Sequence, residues 1–155
     1  MGYNIFDILD KLIILEKKAI KMYRQIAKAK DVSPSLKTVA LVLAKEEEKH
    51  IESYNVLMEN LKDKELDEID FDIYDKVSSL LNEFQNRIVM PEASDVKSLL
   101  SFALELESQN LALLIDIQGR MVKYKDDVEK ASYKVLEYLL EDEKKHIDNL
   151  KIFVA

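Results

Sequence analysis

The chain contains only two histidines, His50 and His146, and each stands three residues after a glutamate, in Glu47-Glu48-Lys49-His50 and Glu143-Lys144-Lys145-His146. Side chains at i and i+3 of a helix point the same way, so each pair can offer a carboxylate oxygen and an imidazole nitrogen to one ion. Two such spacings arise by coincidence with odds on the order of one in a hundred, given that about a tenth of the residues are glutamate. Two further glutamates, Glu16 and Glu107, stand where an apolar side chain is expected, as do Glu47 and Glu143. Burying one unpartnered carboxylate costs several kcal/mol or shifts its pKa, and clustering four multiplies the repulsion. Two divalent cations would cancel it. Glu16, Glu47, His50, Glu107, Glu143 and His146 are therefore the candidate ligands of a two-metal site. Oxygen and nitrogen donors without sulfur suit Fe, Mn or Zn, and iron is the first choice because such a set lets Fe(II) meet O2 or peroxide.

Other polar groups share the inner stripes. Tyr23 lies seven residues after Glu16 and Tyr54 four after His50, so either could line the cavity, although core packing alone would also explain them. Asn110 and Gln118 face inward and could orient a ligand. Glu46, Glu48 and Glu52 fall mostly off the core face and read as solvated surface.

These residues require helices to carry them. With two Gly and two Pro in 155 residues, there is little of the punctuation that sheets and tight turns need. Asn4 can cap a first helix over about 4–30, with Asp7 three residues on. Ser33 followed by Pro34 launches a second, 34–62. Ser94 or Asp95 can cap a third, 95–123, and Asp126 or Asp127 a fourth, 127–154. Residues 63–93 break the pattern and read as a crossover, with a short helix of its own expected over 77–88. Gly119, inside the third helix, is either a tolerated glycine or the mark of a kink or close helix contact.

The register of the ligands follows from the turns. Glu16 and Glu47 are equidistant from the boundary of Asp31 and Val32, where the Ser33-Pro34 signal independently places a reversal. Glu107 and Glu143 are equidistant from Lys125, in a polar stretch that reads as the second reversal. Each hairpin thus brings its carboxylates to one height, and the two halves repeat the order Glu…Glu-x-x-His. The expectation is an all-α single domain, 1–155, of two antiparallel helix hairpins joined by a long crossover.

Composition narrows the functions. No Cys means no disulfide, no thiolate metal site and no iron–sulfur cluster, so electrons must come from an external donor protein. A net charge of −7 with both signs interleaved argues against nucleic acid. No apolar run approaches the roughly 18 residues of a membrane span, and the first residues lack a leader pattern, so a cytoplasmic protein is expected.

The segments Leu15-Glu16-Lys17-Lys18-Ala19-Ile20-Lys21-Met22-Tyr23, Ala44-Lys45-Glu46-Glu47-Glu48-Lys49-His50-Ile51 and Leu140-Glu141-Asp142-Glu143-Lys144-Lys145-His146 resemble the ligand helices of the ferritin-like di-iron carboxylate superfamily, and within it the rubrerythrin-like proteins. The resemblance covers nearly the whole chain. It implies a ferritin-like four-helix bundle holding two Fe ions, with Glu47 and Glu143 bridging and Glu16, Glu107 and the histidines as terminal ligands. It also implies oxidoreductase activity toward peroxide or O2 in defence against oxidative stress, and a homo-oligomer such as a dimer. Two features depart from the family. Asn110 stands where many rubrerythrins have a further Glu, and the Cys-rich rubredoxin domain has no counterpart in these residues. A bacterioferritin-like iron-storage subunit shares the doubled motif and is the alternative. Glu48 stands where a haem-binding bacterioferritin has Met, so no haem is expected.

Overall fold

The architecture is described from a computed structural model covering residues 2–92 and 94–154. Met1 and Ala155, the ends of the expected domain, and Ala93, the last position of the expected crossover, lie outside the described residues. The helices are α1 (Ile5–Lys28), α2 (Pro34–Leu61), α3 (Phe71–Arg87), α4 (Val96–Arg120) and α5 (Ala131–Val154), with a 3₁₀ turn over Lys125–Glu129. No strand occurs among the described residues, so the chain is all-α. A lone antiparallel bridge ties Tyr3 to Ile69, and the Tyr3 ring stacks on Tyr74 at 3.8 Å.

Local chemistry fixes most helix ends. Asn4 and Asp7 form a reciprocal capping box at α1, the side chain of Asn4 accepting from Phe6 N–H at 2.9 Å. Ser33 Oγ accepts from Leu36 N–H, with Pro34 behind it, and Asp95 rather than Ser94 caps α4 by accepting from Ser98 N–H at 2.8 Å. Between α1 and α2 the chain reverses through Asp31 at φ 64°, a left-handed conformation that Asp tolerates better than most residues.

Two expectations need correction. Neither Asp126 nor Asp127 caps the fourth long helix, which begins at Ala131. Asp127 instead folds the preceding loop, its Oδ2 accepting from the N–H of Lys123 and of Tyr124, both at 2.7 Å. Those bonds and the Lys130 ammonium hold its carboxyl down at about 2. The start of α5 is served from the crossover, because Asp67 accepts from Ser132 N–H at 2.9 Å and from Ser132 O–H at 2.6 Å. The crossover helix is also longer than expected, beginning at Phe71 rather than Val77.

Side-by-side packing is densest within the pairs α1/α2 and α4/α5, while α3 lies against α1 and α4. The apolar faces merge in one core containing Leu12, Tyr23, Ala40, Leu81, Leu99, Leu114, Ile117 and Leu136. A Cβ added at Gly119 would meet nothing within 4 Å, so this glycine marks no close helix contact. Among the described residues, no helix is long and apolar enough to cross a membrane.

Candidate metal centre

Midway along the bundle, the four long helices each contribute one buried glutamate: Glu16 from α1, Glu47 from α2, Glu107 from α4 and Glu143 from α5. His50 is buried beside them, while His146 is partly open to solvent, its side chain 28% exposed. Helical spacing does the placing. Glu47 with His50 and Glu143 with His146 occupy adjacent turns of one face, so each helix delivers an oxygen and a nitrogen together.

The donor atoms form two overlapping triads, Glu16–Glu47–His50 and His50–Glu143–His146, with the contributed atoms of each triad within 4.8 Å of one another. His50 Nδ1 lies 3.3 Å from Glu47 Oε2 and 3.5 Å from Glu16 Oε2. The imidazoles of His50 and His146 stack, centroids 4.1 Å apart and planes 11° from parallel. Glu107 belongs to neither triad, but it bridges them electrostatically through its contacts with Glu143 and Glu47. All six candidate ligands thus converge.

Such crowding polarises the groups in opposite directions. Burial, together with the charges of Glu16 and Glu107, pushes Glu47 well above the ordinary carboxylate range. Burial and contact with Glu143 do the same to Glu107, and burial raises Glu143. For Glu16, burial is outweighed by hydrogen bonding to Glu47 and His50, and its pKa falls. Burial would discharge His50, but the Glu16 carboxylate holds its proton and raises it to about 9. His146 moves down, through burial and the nearby charge of His50. Without a cation, burial favours the protonated forms of Glu47, Glu107 and Glu143.

Two buried ligand atoms have no hydrogen-bond partner, Glu143 Oε1 and His146 Nδ1. Glu143 Oε2 lies 3.9 Å from that nitrogen, too far for a hydrogen bond. Orphaned acceptors of this kind are uncommon inside folded proteins. A cation satisfies both at once, and four carboxylates with two imidazoles suit two hard or borderline divalent ions. The residues therefore fit the metal pair.

The remaining inward residues have distinct placements. Tyr54 O–H donates to Glu16 Oε1 at 3.4 Å. The Tyr23 phenol is fully buried with its oxygen unpartnered, and burial plus the charges of Glu47, Glu107 and Glu16 keep it protonated. Asn110 lines a small cavity of about 20 Å³ with Glu16, Glu47 and Glu107, large enough for about one water. Gln118 faces elsewhere: its amide donates to Glu137 Oε2 at 2.6 Å and to the Tyr133 carbonyl at 3.4 Å, so it orients α5 rather than a ligand.

Three neighbours were not anticipated from sequence. Asp142 Oδ2 lies 3.6 Å from His146 Nε2, a placement that the i, i+4 spacing could have suggested. Phe84 and Ile88, from α3 and its end, wall the small cavity with Leu15 and Leu106. Nothing in their local sequence marks them, since they reach the site only through the crossover.

The family model described as Rubrerythrin matches residues 7–153. No curated protein and no solved structure matches the chain.

Proposed function

The chain belongs to the rubrerythrin family, a ferritin-like di-iron family, and from that premise we propose that it is an oxidoreductase that reduces peroxide or O2 with electrons from an external donor. Glu16, Glu47, His50, Glu107, Glu143 and His146 would hold the two ions. The observation that carries this reading is the pair of overlapping Glu/His triads buried across four helices, with Glu143 Oε1 and His146 Nδ1 lacking any other partner.

Bound iron would supply two one-electron oxidations, matching the two electrons that convert one peroxide to two waters. The chain's own groups have separable tasks. Tyr54 fixes one oxygen of Glu16 by hydrogen bonding. Tyr23 keeps its O–H protonated and unpartnered within the field of Glu47, Glu107 and Glu16, as a proton donor held in reserve beside the carboxylates. The cavity beside Asn110 has room for about one water, and Leu15, Phe84, Ile88 and Leu106 give it a dry wall. The neutral amide of Asn110 adds no fifth carboxylate there.

The deciding experiment measures metal per chain and particle size, then mixes the Fe(II) protein anaerobically with peroxide or with O2. Two irons per chain in a small oligomer, with rapid optical oxidation by peroxide, are expected. Hundreds of irons in a large shell would replace this reading with storage.

A further inference from the structure

The half of α1 that follows Glu16 carries Lys17, Lys18, Lys21, Arg24, Lys28 and then Lys30, with no acidic residue before Asp31. Residues 17–30 thus contribute +6 to a chain of net charge −7, leaving −13 for the rest. Of these cations Lys17, Lys21, Arg24 and Lys28 line one groove, which Gln25 also lines. All four are exposed. The groove has a volume of about 540 Å³, the buried Ile20 and the single acid Glu48 completing its wall. Arg24 is paired with Glu48, while the lysines of the groove face solvent.

Ordinary helix electrostatics do not account for this stripe. The macrodipole favours cations only in the last turn, and Lys17 and Lys21 lie well before it. Like charges at i, i+4, as at Lys17/Lys21 and Arg24/Lys28, disfavour the isolated helix, and stabilised exposed faces mix signs. An anionic surface laid over the groove would turn the repulsion into attraction. The location is equally pointed. Glu48 directly follows the candidate ligand Glu47, and Ile20 stands one turn after Glu16, so the groove overlies the α1/α2 seam within about one helix diameter, roughly 10 Å, of both.

We propose that this basic groove is the docking surface for a small acidic one-electron carrier protein that reduces the metal centre. The inference rests on the oxidoreductase reading above. Reduction of one hydrogen peroxide to two waters consumes two electrons and two protons, so two reduced carriers dock in turn and each leaves oxidised by one electron.

The test uses a reduced plant-type ferredoxin as the acidic carrier, and compares the wild type with the K21E/K28E variant. Ferredoxin binding is measured by titration calorimetry on metal-free and iron-loaded protein, and reduction of the oxidised centre is followed with ferredoxin and, separately, with dithionite. Charge reversal should weaken ferredoxin binding at least about tenfold at low salt, and slow reduction by ferredoxin in parallel. Metal content, melting temperature and reduction by dithionite should not change. Equal ferredoxin binding by wild type and variant would overturn the proposal. So would a change in solution mass on charge reversal with ferredoxin binding unmoved, which would give the groove to a second copy of the chain. Tighter, charge-dependent binding to phosphatidylserine vesicles than to ferredoxin would also overturn it. If dithionite-reduced protein failed to consume peroxide, the oxidoreductase reading would fail, while binding to the metal-free protein would still decide the docking surface.

Discussion

At the scale of single residues, protons and metal would compete for the same atoms of the candidate centre. His50, raised to about 9, is protonated at neutral pH in the metal-free protein, and burial favours protonated Glu47, Glu107 and Glu143. Ligands must be deprotonated to bind, so metal uptake should release protons, and affinity should fall as pH is lowered from about 9. Calorimetry in two buffers of different ionisation enthalpy will read the number released; no buffer dependence would contradict the assigned protonation. Glu143→Ala should also remove one metal per chain, because it deletes the single carboxylate of the second triad. Full occupancy by elemental analysis would remove Glu143 from the ligand set. The six candidates were legible because a charge on an apolar stripe is conspicuous and the His spacing repeats. The partner of Gln118 was not legible, because the stripe gives a helix face only coarsely while Glu137 on α5 accepts from its amide. The sharing of His50 between triads depends on ring orientation, which spacing does not encode.

At the scale of elements, the crossover acts as part of the site and of the bundle's closure. The four long helices could be read from their periodicity, and the starts of α1, α2 and α4 from their caps, since a capping signal is local. Asp67, 65 residues from Ser132, has no local signature, and so the true partner of the α5 start was missed. Asp67→Ala should destabilise the protein by about 1–2 kcal/mol, the usual worth of a helix cap, with the loss readable in urea unfolding. A loss under a few tenths would show that solvent serves that helix end equally well. The side of the same crossover that faces the centre ends in Phe84, only 6% exposed, at the small cavity. Phe84→Leu keeps an apolar residue but thins the wall, at a stability cost of about 1.5 kcal/mol or less. It should let a chelator strip the metal several-fold faster than from the wild type. Unchanged stripping would mean that solvent and chelators reach the centre from another side, such as the partly open His146 end.

At the scale of the whole molecule, the central charges set function against stability. Four carboxylates stand where a bundle would otherwise place apolar side chains, and in the metal-free chain their mutual repulsion favours retained protons. Glu47→Gln replaces the most crowded carboxyl by a neutral group of the same volume, which removes the cost of holding it protonated in the fold. The metal-free variant should therefore melt above the metal-free wild type, by roughly 2–4 °C for a gain of about 1 kcal/mol in a chain of this length. The order must reverse when metal is supplied. A ligand that binds only the folded state adds about 4 kcal/mol at a free concentration a thousand times its Kd, and the variant forfeits much of that gain. Differential scanning calorimetry with and without Fe(II) under anaerobic conditions reads both halves. A metal-free variant less stable than the wild type would show that Glu47 is held by its hydrogen bonds rather than strained by its neighbours. The crossing of the two curves is what a core built around cations requires, since a core built for stability alone would gain from Gln in both states.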